Sequence, residues 1–308
     1  MSARRPPARV RLLVIALVAQ LVLGTALVAV ALDGFRLFGA DGRPAAPVRF
    51  EAGRAFADVR LQLGFGPRPA GSTALRRLGE ELRRRLPGGR FESAPGGLRN
   101  IVGTLPGRRP AIALAAHYDT KDLPGFLGAN DGAGGTAVVL ELARVLARER
   151  PRPRGAPEIR FLLFDGEEAA RGVPEADFVH HGLRGSKAYA LAHARELRAL
   201  VLLDFVGNPR LSVPREASSD PRLWALLRAA AARAGVARAF PDRTAEGIYD
   251  DHTPFERLGV PVIDLIDFAY TCFHRSCDDL AHVSAASLGQ AGAAVLELVR
   301  ELERRASA

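Results

Sequence analysis

Lysine is almost missing from this chain: Lys121 and Lys187 are the only two among 43 basic residues. The formal net charge of +9 is therefore an arginine charge. A basic balance of this kind suits nucleic acid or an anionic membrane as partner. The arginines, however, are scattered along helical stretches such as residues 74–86 and 295–305. No stripe interleaves them with aromatics, so they read as a solvated surface and speak against a nucleic-acid interface. Cysteine is as scarce. Cys272 and Cys277 are the only two, which excludes a structural zinc knuckle built from two cysteine pairs. A local disulfide, a pair of zinc ligands and two unrelated small core residues all fit the spacing, and export would permit the first. An internal repeat is lacking too.

Against these absences stands an ordinary globular composition, 48% hydrophobic and 25% charged over 308 residues. Setting aside a short amino-terminal segment leaves about 260 residues, enough for one large domain with a sizeable core.

That segment carries an address. Residues 1–9 form a basic tail, and Arg4, Arg5, Arg9 and Arg11 precede or open an apolar run over residues 10–32. After Arg11 only Gln20 and Thr25 are markedly polar. The length is close to the ~20 residues that cross a bilayer as a helix, and the arginines favour a cytoplasmic amino terminus. A cleaved signal peptide is the rival, with Ala29-Val30-Ala31 as a small-residue cleavage signal. The run is longer than a signal peptide's usual apolar core, so an uncleaved anchor is favoured, with the rest of the chain outside the cytoplasm. Residues 33–48, rich in Gly, Pro and Ala, read as a linker. The catalytic domain is expected over residues 49–308.

Within it the pattern is helical from about residue 50 to 86, interrupted around Gly64–Ser72, with Ser72 as cap of the second helix. Short apolar runs at residues 100–105, 111–116, 159–164, 200–203 and 260–266 have strand length. Helical stretches lie at 134–148, 185–197, 222–234 and 286–302. This alternation predicts a single α/β domain, with a mixed, mostly parallel central sheet and helices on both faces. Ligands bind such sheets outside the carboxyl ends of the strands. Polar residues fall there: His117 and Asp119 after the second run, Asp165, Glu167 and Glu168 after the third, Asp204 after the fourth, and Asp131 in a loop before a helix.

Taken together, His117, Asp131, Glu168, Asp204 and His274 offer the imidazole and carboxylate ligands that zinc accepts in open catalytic sites. Two histidines and three carboxylates suit one metal or two, and a carboxylate shared between two metals is a common arrangement. Glu167, next to a ligand, would be free to move protons. Any one of these alone reads more simply as a helix cap, a turn residue or a solvated acidic turn. Their joint position at strand ends carries the inference.

The motifs His117-Tyr118-Asp119, Asn130-Asp131, Phe164-Asp165-Gly166-Glu167-Glu168, and His274 followed by Cys277-Asp278-Asp279 resemble, in order, those of the zinc-aminopeptidase superfamily. Within it the chain is most similar to animal-type glutaminyl-peptide cyclotransferases. The shared stretches include His117–Lys121, Leu202–Gly207 and Asp250-Asp251-His252-Thr253-Pro254-Phe255. The resemblance runs from about Gly64 to the end of the chain. It implies Asp131, Glu168 and His274 as zinc ligands, Glu167 as proton shuttle, and Asp204 and Asp250 as acidic residues completing the site. His117, with Asp204, matches the additional ligands of the two-metal aminopeptidases. The implied reaction is conversion of the amino-terminal glutamine of peptides to pyroglutamate with release of ammonia; the alternative is a zinc aminopeptidase. A non-catalytic, receptor-like ectodomain would typically have lost ligands or base, and this chain keeps them all. The Asp250-Asp251 pair and the long connection from Glu168 to Gly185-Ser186 favour the cyclase. Three departures bear on the substrate pocket: Phe273, expected as an apolar wall, stands where the cyclases have tryptophan, their tryptophan after the Glu-Glu pair is absent, and Asp264 replaces a histidine.

Overall fold

The computed structural model of the chain describes residues 17–25, 48–149 and 151–307. The chain divides into two units with the boundary after Pro47. The first contains a helix over residues 17–25 (α1). Among the described residues no helix is long and apolar enough to cross a membrane; most of the run at 10–32, the basic tail and the linker residues 33–47 lie outside the described residues. The second unit begins at Val48, one residue earlier than the expected domain start.

In the second unit, six strands form one sheet: β1 (Arg90–Ala94), β2 (Leu98–Leu105), β3 (Arg108–His117), β4 (Pro157–Phe164), β5 (Leu197–Leu203) and β6 (Val262–Leu265), in the order β1-β2-β4-β3-β5-β6. The pairs β1–β2 and β2–β4 are antiparallel, whereas β4–β3, β3–β5 and β5–β6 are parallel. The central parts of β3 and β5 are apolar on both sides because both faces are covered. On β3, Ile112, Leu114 and Ala116 enter one buried cluster, and Ala111, Ala113 and Ala115 enter the other. The first cluster holds residues of α2 (Ala52–Leu63), α3 (Thr73–Arg85), α4 (Ala133–Arg148), α7 (Pro221–Arg233) and α9 (Ala285–Ser307). The second holds Tyr189 and Ala190 of α6 (Arg184–His193). Ser72 caps α3 by accepting from the Leu75 amide at 3.1 Å, a contact worth about 1 kcal/mol.

The structure corrects one expectation and adds one strand. The helix predicted over 185–197 stops at His193; a 3₁₀ turn, Ala194–Glu196, follows, and Leu197 already begins β5. Strand β1 was not anticipated, because it is a half-exposed edge strand in which only Ala94 is buried.

The topology sets the site. Parallel pairing places His117, the last residue of β3, beside Phe164, the last of β4. Leu203 ends β5, so Asp204 leaves the sheet on the same rim. The amino end of α4 presses against this rim at Gly135, where a Cβ would sit 2.0 Å from the Leu203 carbonyl oxygen. Only glycine allows that approach.

Candidate metal centre and active-site cavity

His117 Nε2 lies 3.3 Å from Asp131 Oδ1 and 3.4 Å from Asp204 Oδ1. On the other side of the same carboxylate, His274 Nε2 lies 3.5 Å from Asp131 Oδ2 and 3.6 Å from Glu168 Oε1. Asp131 is thus shared by two triads, His117–Asp131–Asp204 and Asp131–Glu168–His274, each with ligand atoms within 4.8 Å of one another. The fold brings together every predicted ligand. The turn that delivers Asp131 depends on Gly132, at φ 88°, where a Cβ would meet the Asp119 carbonyl oxygen at 2.5 Å and His117 Cε1 at 3.2 Å.

These groups fit a cation. Asp131 Oδ2 and Glu168 Oε1 are buried and have no hydrogen-bond partner, a costly state for a carboxylate unless a positive charge faces it. Burial, then the Glu168 charge, pushes the Glu167 carboxyl well above its ordinary range. Burial, then Asp131, does the same to Glu168. Asp204 is pushed up to about 7, chiefly by burial and further by Asp250, against the opposing pull of His117. Mixed nitrogen and oxygen donors in open groups of three are the kind that hold zinc.

Three further residues hold the ligands in place. Asp119 accepts from the backbone amides of Glu167 and Glu168, each at 3.2 Å, and sits 3.6 Å from His117 Nδ1. Lys121 Nζ donates to Glu168 Oε2 at 3.0 Å. Asp278 accepts from the amides of Asn130 and Asp131 at 2.8 and 3.1 Å and from the Tyr270 hydroxyl at 2.7 Å. All three stand inside the motifs noted in the sequence, but their tasks emerge only once the chain is folded. The cysteines also resolve: Cys272 and Cys277 form a disulfide.

Glu167, Asp204 and Asp250 line a cavity of about 650 Å³ together with Asp131, Glu168 and His274. Its remaining wall is largely apolar, with Phe178, Phe205, Ile248, Phe268 and Phe273 among the lining. Phe273 stacks on His274 with ring centroids 3.9 Å apart. Phe178 comes from the long connection after Glu168; the length of that connection was its only signal in the sequence. Asp264 is not part of this lining, so its replacement of a histidine does not change the cavity wall. It is fully buried and forms a third group with Asp250 and His252, with His252 Nδ1 at 3.4 Å from its Oδ2. The lone tryptophan, Trp224, packs against Phe240 in the core.

The model for peptidase family M28 matches residues 100–299. A Drosophila melanogaster glutaminyl-peptide cyclotransferase is 34% identical over 209 residues, covering 60% of this chain and 59% of that protein. Aminopeptidase YwaD of Bacillus subtilis is 31% identical over 209 residues, covering 62% of this chain and 41% of its own length. The chain therefore spans less than two thirds of either relative. The crystal structure of an Acidobacteriales bacterium glutaminyl cyclase superposes with a TM-score of 0.72 at 28% identity, covering 86% of this chain and 99% of that one.

Proposed function

Because the chain belongs to peptidase family M28, whose fold and acidic rim it carries, we propose that it is a zinc-dependent glutaminyl-peptide cyclotransferase, converting the amino-terminal glutamine of peptides or proteins to pyroglutamate. One observation carries the choice of reaction. Beyond the ligands Asp131, Glu168 and His274, three carboxyls, Glu167, Asp204 and Asp250, meet in one cavity. Moving a proton from an amine to a departing ammonia calls for such a shared acidic store.

Asp131, Glu168 and His274 would hold zinc, which supplies Lewis-acid polarisation of the glutamine γ-carbonyl. The substrate's α-amine forms the new bond to the γ-carbon, and the bond from that carbon to the amide nitrogen breaks. Glu167 takes the amine proton and delivers it to the leaving nitrogen, which departs as ammonia. The nucleophile is part of the substrate, so the apolar walls of Phe178 and Phe273 serve mainly to fix a folded, reactive conformer. Asp204 and Asp250 keep Glu167 oriented and share its proton.

Asp250 is the probe for this reading. Asp250→Ala should lower ammonia release from a Gln-initiated peptide by about tenfold or more, with circular dichroism and zinc content unchanged. Full activity in that variant would remove Asp250 from the mechanism. A zinc aminopeptidase remains the second reading, favoured by the His117–Asp131–Asp204 triad, which would hold a second metal.

The amino-terminal run supports a membrane-anchored enzyme with its catalytic unit outside the cytoplasm. Mass spectrometry of the membrane-extracted protein should find peptides that begin before Val10. Chains that all start after Ala31 would replace the anchor with a cleaved signal peptide, and the enzyme would then be secreted.

A further inference from the structure

The disulfide lies in an unusual place for a stabilising crosslink. It closes a ring of only six residues, Cys272-Phe273-His274-Arg275-Ser276-Cys277. Closing so short a loop restricts the unfolded chain less than closing a longer one would, and stability alone does not explain why the bridge sits here. What the ring contains explains it better. His274, whose Nε2 faces Asp131 and Glu168, sits inside the ring with φ 50°. That left-handed conformation is unfavourable for a residue with a Cβ and persists only where the surroundings impose it.

Each end of the ring is tied down. Cys272 is buried with Phe205, Ile266 and Tyr270. Cys277 is followed directly by Asp278, which grips the Asn130 and Asp131 amides. The Ala129 amide also donates to the Asp278 carbonyl oxygen at 3.2 Å. The Arg275 amide donates to the Cys272 carbonyl oxygen at 3.1 Å within the ring, and the Asp278 amide, just outside it, donates to the Arg275 carbonyl oxygen at 2.9 Å. One covalent bridge therefore closes the segment that carries the strained histidine, ending one residue before the aspartate that supports Asp131.

We propose that the Cys272–Cys277 disulfide is a positioning element of the metal centre, holding His274 and, through Asp278, Asp131 in ligating register. This rests on reading Asp131, Glu168 and His274 as metal ligands. Without the bridge the ring can relax out of the left-handed conformation, and binding zinc must then restore it. Affinity falls even though every ligand is still present.

The test is zinc affinity, measured by competition with a chromogenic chelator, in the wild type, Cys272→Ala/Cys277→Ala and His274→Ala. A second double variant, Cys272→Val/Cys277→Ala, refills the buried volume left at position 272. Cobalt substituted for zinc reports the ligand geometry through its visible spectrum. The bridge-less variants should keep the wild-type far-UV circular dichroism and bind zinc about 10–100-fold more weakly, the range seen when outer partners of metal ligands are lost. Their cobalt spectra should be altered, and their loss smaller than that of His274→Ala. A folded bridge-less variant whose zinc affinity stays within about twofold of wild type overturns the proposal, as does failure of both double variants to fold. If His274→Ala itself keeps wild-type affinity, the ligand assignment fails and the proposal falls with it. Because the readout is binding, the result is independent of whether the product is pyroglutamate or a free amino acid.

Discussion

Replacing Glu167 by glutamine should leave zinc binding intact and cut turnover of a Gln-initiated peptide by about 10²-fold or more. That loss corresponds to about 2.7 kcal/mol of barrier. The substitution keeps size and shape and removes only the ability to accept a proton. The amides of Glu167 and Glu168 are held by Asp119, and glutamine keeps the backbone that makes those bonds, so the loop should not move. Glu167 is buried among Glu168, Asp250 and Asp251, all of which push its carboxyl toward the protonated form. A cation beside it works in the opposite direction and favours the carboxylate that can act as base. Steady-state kinetics with metal analysis on the same sample separates the two effects. Near-wild-type turnover with full zinc would exclude Glu167 as proton carrier.

Asp131→Ala should do the opposite and remove the metal itself. Its two oxygens face different histidines, so one substitution empties a position in both triads. Zinc affinity should fall by more than the about 10–100-fold typical of losing an outer partner, and activity should fall with it. His274→Ala removes a ligand from one triad only. It should spare any metal held by His117, Asp131 and Asp204, so comparing metal content after dialysis in the two variants also reports how many ions the native site holds. Retention of zinc and activity by both variants would refute the site assignment.

How far these residues could be read in advance depends on what each does. Residues 111–116 and, apart from Arg160, 159–164 are apolar and buried on both faces, so they stand out as near-continuous apolar runs, and the acidic and histidine residues at their ends follow from the rule for parallel sheets. Strand β1, Arg-Phe-Glu-Ser-Ala, carries no such signal, because an edge strand half in solvent needs neither a run nor strict alternation. The same limit hid the supporting residues. Asp278 meets the Asn130 and Asp131 amides across nearly 150 positions of chain, and Asp119 meets the Glu167 amide across 48; only the folded chain brings them together. Asp264 is the sharpest case. From sequence its replacement of a histidine bore on the substrate pocket, yet the side chain is buried with His252 and Asp250 and does not line the cavity.

The reaction itself is tested most directly by weighing products. The zinc-loaded catalytic unit would be incubated separately with a Gln-initiated and a Leu-initiated peptide of otherwise identical sequence, and each followed by mass spectrometry. The account predicts that the Gln-peptide loses the mass of one ammonia, that free ammonia appears in equal amount, and that the Leu-peptide is unchanged. Release of free leucine from the Leu-peptide, with no ammonia from the Gln-peptide, would contradict the cyclase and identify an aminopeptidase built on the same acidic rim.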